Sequence, residues 1–241
     1  MSTTERKLRH IGFIVDGNRR WAKRRNLPTL EGHRRGFDKV EKVIENLQDT
    51  EVEFISFYLF STENWDRSPE EVAYLMKLAK ERIESLTKKC QKENLRLVIM
   101  GRSEHVDPKL WQKMQDAENS TAQNTSMTIC ICFNYGGLWE IADAANKVVT
   151  GLLEQDEHQT TPSHITNMTP ETFRRYLYHP EVPDCDLIVR TGGEQRLSGF
   201  QLWRAAYAEF LFVPEMFPDL EPEHCQDFIA EYYQRHRRFG E

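Results

Sequence analysis

The stretch HIGFIVDGNRRW, residues 10–21, sets the pattern that the rest of the chain repeats. Its apolar run Ile11–Val15 has the length and composition of a buried β-strand. The residues Asp16–Asn18 then end the strand with side chains typical of a turn or a helix start. A buried strand that passes directly into a helix is half of a βαβ unit, so this stretch predicts an α/β fold.

Helical patterns separate the later apolar runs. Apolar residues recur at helical spacing over Phe37–Leu47. Ser68–Glu71 provides an N-cap serine, a proline at the first helical position and a glutamate that closes a capping box. Further helices are predicted from Thr169–Glu171 onward and over about Pro222–Arg238, with a polar surface loop at Gln155–Asn167. The later strands are predicted at Val52–Phe60, Leu95–Met100, Met127–Phe133, Leu187–Val189 and Phe210–Val213.

Composition argues against several classes of protein. The net charge of −6 disfavours a general nucleic-acid-binding protein, which is normally basic. No apolar run reaches the roughly 18 residues that a membrane span needs. The segment Met1–Lys7 lacks the apolar stretch of a signal peptide. We therefore expect a cytoplasmic protein with one domain, residues 1–241.

The five cysteines are scattered and odd in number. Cys130 and Cys132 lie two apart in a strand pattern, so both side chains should point to the same face. A metal site needs further Cys or His at ligand spacing, and none is nearby. We therefore expect all five to be buried free thiols.

Polar, glycine-rich and arginine-bearing segments follow the predicted strands. In parallel sheets ligands bind outside the carboxyl ends of the strands, so these segments should share one edge. That edge is the predicted site. The segments are Asp16–Trp21, Ser61–Trp65, Gly101–Arg102, Asn134–Gly137 and Arg190–Arg196.

Asp16 is the first candidate residue of that edge. It lies beside the unpaired N–H groups of a helix start, which suit a phosphate, and Arg20 adds a possible bidentate contact. A carboxylate next to phosphates needs a bridging cation, and Mg²⁺ prefers one or two carboxylates together with phosphates and waters. The pattern therefore indicates Mg²⁺ on a diphosphate, with helix capping as the alternative role for Asp16.

Residues Arg190–Ser198 indicate a second anion site. Two guanidinium groups and a hydroxyl surround a Thr-Gly-Gly turn, whose glycines allow the backbone to approach an anion. A tight turn with solvated arginines is the alternative. Glu209 is either a second Mg²⁺ carboxylate or an ordinary charged strand residue. His33, at a helix start, is either a structural histidine or a site residue at the same edge, and Arg67 is expected to pair with Glu71.

Two anion sites, a bridging metal and an apolar interior suggest a reaction between two phosphorylated molecules. The chain contains neither the P-loop pattern G-x-x-x-x-G-K-[ST] nor the dinucleotide pattern G-x-G-x-x-G. A nucleotide- or sugar-phosphate-binding enzyme is therefore disfavoured.

Six segments of the chain resemble the cis-prenyltransferases, the family of undecaprenyl and dehydrodolichyl diphosphate synthases. They occur in the family's order and spacing, and they span nearly the whole chain. The segments are HIGFIVDGNRRWA (10–22), GH (32–33), FSTENWDR (60–67), NYGG (134–137), DLIVRTGGEQRLS (186–198) and LWRAAYAE (202–209).

The resemblance implies a fold, a reaction and a partner. The fold is a central six-stranded, mainly parallel sheet flanked by helices, with an apolar tunnel. The reaction is the Mg²⁺-dependent condensation of isopentenyl diphosphate with an allylic diphosphate, such as farnesyl diphosphate. The enzyme is expected to be a homodimer with at most peripheral membrane contact. Its Arg238–Gly240 resembles the family ending that reaches the partner subunit's site.

The resemblance also assigns roles to residues. Asp16 is expected to hold Mg²⁺ on the allylic diphosphate, with Glu209 as the second metal carboxylate. Asn64 either removes the proton or positions the group that accepts it. The residues expected to hold the allylic substrate are Gly17, Asn18, Arg19, Arg20, Trp21 and His33. Those expected to order the catalytic loop and contact substrate are Ser61, Thr62, Glu63, Trp65 and Arg67. Those expected to bind isopentenyl diphosphate are Arg190, Arg196, Leu197 and Ser198.

One departure from the family pattern affects the anion site. Thr29 stands where members often carry arginine four residues before the histidine. A phosphate contact is then missing or comes from Arg24 or Arg25. Gly199 replaces a common asparagine with no obvious effect on the anion site.

Product length is expected from the helix that follows Arg67. Its length resembles that of medium-chain bacterial members and favours a C50–C55 product, a lipid-carrier precursor for cell-wall glycan synthesis. The helix residues expected to face the product are Tyr74, Leu75, Leu78 and Ile83. A short-chain synthase is the alternative. A non-catalytic partner subunit is disfavoured because the motif residues Asp16, Asn18, Asn64 and Arg190 are intact.

Overall fold

Six strands form one sheet in the computed structural model, which describes residues 7–156 and 168–235. The strands are β1 (His10–Ile14), β2 (Phe54–Ser61), β3 (Arg96–Met100), β4 (Thr128–Tyr135), β5 (Leu187–Arg190) and β6 (Glu209–Phe212). They lie side by side in the order β3-β4-β2-β1-β5-β6. Every neighbouring pair is parallel. The predicted six-stranded α/β fold is therefore confirmed, and each predicted strand end lies within two residues of the observed one.

Helices lie in the connections that link β1 through β5, whereas turns form the β5–β6 connection, residues 191–208. The helices are α1 (Asn18–Arg24), α2 (Thr29–Gln48), α3 (Pro69–Lys92), α4 (Pro108–Thr121), α5 (Gly137–Asp156), α6 (Pro170–Arg174) and α7 (Pro222–Gln234). Two short 3₁₀ turns cover Thr62–Asp66 and Phe217–Asp219. The predicted surface loop begins two residues too early, because α5 continues through Asp156. Residues 157–167 of that loop and 236–238 of the predicted last helix lie outside the described residues.

The two faces of the sheet are buried in separate apolar clusters. Phe13 of β1 and Phe57 of β2 join residues of α2, α3 and α4, and their rings stack with centroids 5.5 Å apart. The next residue of β2, Tyr58, joins the other cluster and stacks on Phe200 at 5.0 Å. Successive strand residues thus enter two covered faces, which explains the continuous apolar runs in the sequence.

The cysteines have the environment that the sequence predicts. All five cysteines are buried and free, as predicted. None of the helices in the described ranges has both the length and the apolar character needed to cross a membrane.

His10 is a fully buried titratable group at the start of β1. Its Nδ1 lies 2.9 Å from the carbonyl oxygen of Pro183, and its Nε2 lies 2.7 Å from Ser56 Oγ. Burial and the nearby charge of Arg204 lower its pKa from 6.5 to about 4, against the opposing effect of the hydrogen bond to Pro183. The imidazole is therefore neutral in the folded protein at physiological pH.

We expect the free energy of unfolding to fall by roughly 2 kcal/mol from pH 7 to pH 5 through His10 alone. The unfolded chain protonates His10 near pH 6.5, whereas the folded chain resists protonation down to about pH 4. Between these values the unfolded state binds more protons, so acid favours unfolding. Urea unfolding at both pH values should show a weaker pH dependence in His10→Gln than in the parent. Equal pH dependence in both proteins would contradict this assignment.

Candidate active site

Asp16 lies where strands β1 and β5 end. Strand β1 ends at Ile14, whose register partner on β5 is Arg190, and Asp16 follows two residues later. Arg190 donates a hydrogen bond from Nη2 to Asp16 Oδ2 at 3.0 Å. Arg20, one turn into α1, places its Nη2 3.2 Å from Asp16 Oδ1. The carboxylate therefore lies between two guanidinium groups.

The surroundings of Asp16 keep its carboxyl group ionised. Partial burial tends to raise its pKa, but hydrogen bonds from Arg190 and the Gly17 N–H and the charge of Arg20 lower it overall. The side chain is 30% exposed, so a ligand can reach it. The alternative role as a helix cap is not seen, because the N-cap of α1 is Gly17 and no side chain caps that helix.

Arg190 connects Asp16 to the segment after β5. Its Nη1 donates to Ser198 Oγ at 2.9 Å, and its side chain is only 6% exposed. Its Nε is buried and has no hydrogen-bond partner among the residues described. Tyr58 fixes the backbone of Ser198, because its hydroxyl donates to the Ser198 carbonyl at 3.2 Å. Arg196 is exposed and pairs with Glu194. The Nε–H of Arg190 therefore remains available to donate a hydrogen bond to an anion.

The Thr-Gly-Gly turn after β5 packs against the start of α1. Gly192 has a φ of 82°, a conformation that residues with a side chain rarely adopt, and a Cβ there would lie 2.6 Å from Arg20 Nη2, so this position favours glycine. Its N–H donates to the Glu215 carbonyl at 2.6 Å, and the Gly193 N–H donates to the Val213 carbonyl at 2.8 Å. Both amides are used within the fold, and side chains supply the donors.

Glu71 of α3 holds three predicted site residues together. Its Oε1 accepts hydrogen bonds from His33 Nε2 at 2.9 Å and from Arg67 Nη1 at 3.0 Å. Its Oε2 lies 3.7 Å from Arg19 Nε. The predicted capping box is only half correct: Ser68 accepts from the Glu71 N–H, but the Glu71 carboxylate turns to the site instead. The sequence predicts that Glu71 pairs with Arg67, but it does not predict the contacts of Glu71 with His33 and Arg19.

Burial and hydrogen bonding fix the charges in this cluster. Burial lowers the pKa of His33, so its imidazole stays neutral near pH 7. Burial tends to raise the pKa of Glu71, but the hydrogen bond with His33 and the charge of Arg67 lower it overall. Two arginines, Arg19 and Arg67, therefore face one carboxylate. The cluster keeps an excess of positive charge next to Asp16.

The segment after β2 forms the 3₁₀ turn Thr62–Asp66. Ser61 and Asn64 close a reciprocal capping box around it, in which the Ser61 N–H donates to Asn64 Oδ1 at 3.2 Å. Trp65 donates from Nε1 to Asn134 Oδ1 at 2.7 Å. Trp65 therefore anchors the turn to the Asn-Tyr-Gly-Gly segment, and the turn presents Asn64 at the edge of the sheet.

Two cavities meet at Asp16. The larger has a volume of about 540 Å³ and extends along apolar residues of α2, β2 and α3. The smaller has a volume of about 370 Å³ and is bordered by four arginines, Arg19, Arg20, Arg67 and Arg196. The residues that line both are Val15, Asp16, Asn18, His33 and Arg67. The predicted edge thus carries an anion site and an apolar cavity side by side.

Most of the predicted site residues line these cavities. The larger one includes Ser61, Glu63, Asn64, Arg190 and Ser198, and the smaller one includes Gly17, Arg19, Arg20 and Arg196. Trp21, Thr62, Trp65 and Leu197 line neither cavity. Leu197 packs instead against the apolar cluster around Phe200. The Thr62 hydroxyl donates to Glu63 Oε1 at 3.0 Å.

Trp21 lines neither cavity and packs against Met216. Its Nε1 donates to Asp219 Oδ1 at 2.6 Å, and the Arg25 guanidinium lies 4.4 Å from the centre of its ring. The structure therefore does not bring Trp21 to the expected substrate position. Arg25 also pairs with Asp219 at 2.9 Å, which makes it an unsuitable replacement for the arginine that Thr29 replaces.

Glu209 is the first residue of β6 and lies at the amino end of that strand. Its register partner on β5 is Leu187, three residues before Arg190. With about 3.3 Å per residue and about 4.8 Å between strands, Glu209 lies roughly 14 Å from Ile14, the strand residue that precedes Asp16 by two positions. Its carboxylate is 3.4 Å from Arg235 Nη1. Asp16 and Glu209 of one chain therefore cannot share a metal ion, and the predicted pair of metal carboxylates is not assembled.

The donors around Asp16 fit a hard cation that also binds a diphosphate. Within residues 7–156 and 168–235, no group of three or more His, Cys, Asp or Glu residues is arranged to hold a metal. Mg²⁺ suits such a site, because it completes one or two carboxylates with phosphate oxygens and waters. The ionised Asp16 supplies the carboxylate, and the buried Arg190 Nε offers a donor to the anion.

Helix α3 contributes less to the apolar wall than expected. Leu75 lines the larger cavity, and Ile83 lines a third, apolar cavity of about 30 Å³ behind it. Leu78 and Tyr74 line neither cavity. Phe37 of α2 and Leu59 of β2 line both, and the sequence does not identify them. They belong to ordinary apolar patterns, and only the packing of α2 over β2 brings them together.

Known proteins are similar to this chain over nearly its whole length. The family model described as "Putative undecaprenyl diphosphate synthase" matches residues 14–240. The isoprenyl transferase of Thermotoga maritima is 41% identical, over 96% of this chain and 96% of its own length. The ditrans,polycis-undecaprenyl-diphosphate synthase of Haemophilus influenzae, named as (2E,6E)-farnesyl-diphosphate specific, is 37% identical, over 96% of this chain and 95% of its own.

A solved structure has the same fold. The lavandulyl diphosphate synthase of Lavandula x intermedia, crystallised with dimethylallyl diphosphate, superimposes with a TM-score of 0.87 at 29% identity. The match covers 96% of this chain and 98% of that one. The sheet order and the helices that form the site are thus a known arrangement.

Proposed function

Because the chain belongs to the undecaprenyl diphosphate synthase family and is a cis-prenyltransferase, we propose that it extends an allylic diphosphate with isopentenyl diphosphate at the edge around Asp16. The proposed cofactor is Mg²⁺, and the proposed primer is farnesyl diphosphate. The proposed product is an undecaprenyl-type diphosphate of C50–C55, a lipid-carrier precursor for cell-wall glycan synthesis.

One observation carries this proposal. The Asp16 carboxylate lies 3.0 Å from Arg190 and 3.2 Å from Arg20, where an arginine-lined cavity meets an apolar one. An anion site on each side of one carboxylate suits two diphosphates, and an apolar wall suits a hydrocarbon chain. A single-substrate phosphatase has no use for the second anion site or the wall.

The proposed binding mode assigns one diphosphate to each side of the shared carboxylate. The allylic diphosphate lies in the smaller cavity, where Arg19, Arg20 and the first N–H groups of α1 donate to its oxygens. The diphosphate of isopentenyl diphosphate takes donors from Arg190, Arg196 and Ser198. The hydrocarbon chain of the primer enters the larger cavity along its apolar wall.

The reaction joins the substrates and releases one diphosphate. The isopentenyl double bond attacks the allylic carbon, the bond from that carbon to the diphosphate oxygen breaks, and loss of a proton forms the new cis double bond. Arg19 and Arg20 stabilise the charge that develops on the leaving diphosphate, and the apolar wall keeps water from the reacting carbon. Mg²⁺ held by Asp16 supplies further charge stabilisation when it is bound.

In this proposal Asn64 positions a group and does not accept the proton. Its Oδ1 already accepts the Ser61 N–H, so Nδ2 is the end left for a ligand. An amide NH₂ group is a donor and cannot take up a proton. We assign the orientation of isopentenyl diphosphate to Asn64, and uptake of the proton to a phosphate oxygen or a water.

The proposed function is tested with purified protein, Mg²⁺, farnesyl diphosphate and labelled isopentenyl diphosphate. We expect label to enter products that are resolved by chain length near C55, and EDTA to stop incorporation. Short products would support the proposed condensation reaction but would contradict the proposed role in making a lipid-carrier precursor. No incorporation by folded protein would contradict the proposed activity.

We expect Glu71→Gln to lower kcat/KM for farnesyl diphosphate by roughly tenfold or more, since misplaced substrate contacts slow an enzyme strongly. The variant removes the charge that orients Arg67 and Arg19 beside the smaller cavity. Steady-state kinetics and circular dichroism check the effect and the fold. The matched control is Glu70→Gln, an exposed neighbour in the same turn. If the two variants behave alike, Glu71 has no positioning role.

Helix α5 presents an apolar stripe that supports the proposed homodimer. Leu138, Ala142, Ala145 and Val149 are exposed and recur at spacings of four, three and four residues. Leu138 is 72% exposed and Val149 is 52% exposed. Such spacing is typical of a helix face that packs against another helix. Leu138 also lines the larger cavity, so the proposed interface adjoins the site.

We expect Ala145→Glu to raise the dimer dissociation constant by about a hundredfold or more, because an unpaired charge becomes buried in the interface. Light scattering over a range of concentrations measures the change. Asn146→Glu adds the same charge one residue away, on an exposed polar position. This variant should leave the molar mass of the dimer, measured by light scattering, the same as in the parent protein. Dimers of equal strength in both variants would place the interface elsewhere.

A further inference from the structure

Asn134, near the end of β4, links the turn that carries Asn64 to residues 101–105, the segment after β3. Its Oδ1 accepts a hydrogen bond from Trp65 Nε1 at 2.7 Å. Its Nδ2 donates to the carbonyl oxygens of Arg102 at 2.9 Å and of Glu104 at 2.7 Å. Only one orientation of the amide serves an indole N–H and two carbonyls together, because the N–H needs the amide oxygen and the carbonyls need the NH₂ group. The contact with Trp65 therefore depends on where the 101–105 segment places its carbonyls.

The 101–105 segment contacts Trp65 a second time through His105. The two rings meet edge to face, with centroids 6.0 Å apart. Trp65 belongs to the same 3₁₀ turn as Asn64, and a turn of five residues has little freedom to move in parts. The position of the segment is thus transmitted to the side chain of Asn64, which lines the larger cavity.

The side chain of Arg102 holds the 101–105 segment against α5. Its Nε lies 3.3 Å from Asp143 Oδ2, and its Cζ lies 4.2 Å from the centre of the Trp139 ring. A guanidinium over an indole ring is attracted by the ring quadrupole, and the Asp143 carboxylate adds an opposite charge. Arg102 Nη2 also donates to Glu104 Oε1 at 3.2 Å, within the segment itself. These contacts fix both carbonyls that Asn134 needs.

Arg102 is not part of the binding site. It lines neither the larger nor the smaller cavity. Its side chain is only 20% exposed, and that of Asp143 is 22% exposed, so water screens their attraction less than it screens a fully exposed pair. An effect of Arg102 on the reaction must therefore act through the residues that it positions.

We propose that Arg102 is a positioning residue for isopentenyl diphosphate: it fixes the 101–105 segment to α5, and that segment orients Asn64 through Asn134 and Trp65. This inference rests on the proposed function, in which Asn64 orients isopentenyl diphosphate. Arg19 and Arg20, which hold the allylic diphosphate in that proposal, belong to α1 and have no part in this chain of contacts. Arg102 therefore affects one substrate and not the other.

We expect Arg102→Ala to raise KM for isopentenyl diphosphate about tenfold, since displacement of an orienting group by about 1 Å is costly. KM for farnesyl diphosphate should stay at the parent value. A folding defect alone would lower kcat through the fraction of active enzyme and leave both KM values unchanged. Equal KM for isopentenyl diphosphate in Arg102→Ala and the parent would overturn the inference.

Arg96→Ala is the matched control. Arg96 stands at the other end of β3, and it also forms an ion pair of partly exposed side chains, with Glu181 at 2.8 Å. Its loss should leave KM for both substrates unchanged. If Arg96→Ala raises KM for isopentenyl diphosphate as much as Arg102→Ala does, the effect is not specific to the link with Asn64, and the inference fails.

Combination with Asn64→Ala distinguishes positioning from an independent effect. If Arg102 acts through Asn64, then adding Arg102→Ala to Asn64→Ala should raise KM for isopentenyl diphosphate no further. Substitutions at independent sites have additive free energies, so their effects on KM would multiply. Multiplying effects in the double variant would overturn the inference.

Asp143→Asn tests the same link from α5 and leaves the 101–105 segment unaltered, which keeps the inference testable if Arg102→Ala does not fold. The amide keeps the size of the side chain and removes the charge beside Arg102. We expect KM for isopentenyl diphosphate to rise by a smaller factor, because Trp139 still contacts the guanidinium. An unchanged KM in folded Asp143→Asn would contradict the inference. Failure of the proposed function looks different, since the parent protein itself would then incorporate no isopentenyl diphosphate.

Discussion

We expect Asp16→Asn to lower kcat for isopentenyl incorporation by about 10²- to 10³-fold, because the enzyme loses one group that stabilises charge in the transition state. The amide keeps the size of the side chain and removes the anion between Arg190 and Arg20. A neutral group there can no longer hold a cation against the diphosphate. The measurement is incorporation of labelled isopentenyl diphosphate at saturating Mg²⁺.

The fold should survive this substitution. Asp16 is partly exposed, and the strand before it is held by its own ladder with β2 and β5. Circular dichroism and thermal unfolding should therefore resemble those of the parent. Asp227→Asn, an exposed carboxylate on α7, is the control and should retain full activity. Full activity in Asp16→Asn would remove Asp16 from the reaction.

Gly32→Ala should destabilise the protein by about 3 kcal/mol or more and abolish activity, because an added methyl group meets backbone and not a movable side chain. A Cβ on Gly32 would lie 2.0 Å from the Asn18 carbonyl oxygen. Helix α2 would then have to move away from α1. The same movement displaces His33 and Asn18, which line both cavities. Urea unfolding measures the loss of stability.

Gly151→Ala is the matched control for this prediction. Gly151 lies in α5, and a Cβ there would meet nothing within 4 Å. Because glycine within a helix is less stable than alanine by roughly 0.5–1 kcal/mol, the substitution should stabilise the protein slightly. If both glycine variants unfold at the same urea concentration, the close approach of α1 and α2 is not what requires glycine at position 32.

The sequence predicts the edge of the sheet well because strand ends are local features. Asp16 and Arg190 each stand at the end of an apolar run, and a parallel sheet brings such ends together. The register of β1 with β5 confirms this, since Ile14 faces Arg190. Any sequence in which apolar strand segments end in charged residues predicts that those charged residues lie close together at one edge of the sheet.

Strand register and helix packing depend on residues that are distant in sequence. The sequence pattern alone therefore does not predict the contacts that they produce. Glu209 lies close to an apolar run, but only the pairing of β6 shows that it stands at the wrong end of its strand to meet Asp16. Glu71 resembles a capping residue, and only the packing of α3 on α2 shows its carboxylate against His33. Phe37 and Leu59 resemble core residues until the cavity between them is seen.

In the proposed complex, two diphosphates bind on either side of Asp16. A crystal structure with Mg²⁺, isopentenyl diphosphate and an unreactive sulfur-bridged analogue of farnesyl diphosphate tests it most directly. We predict one diphosphate on Arg19 and Arg20, the other on Arg190 and Ser198, and a metal ion on Asp16 between them. Diphosphates bound away from these residues, or a metal ion without contact to Asp16, would contradict the account.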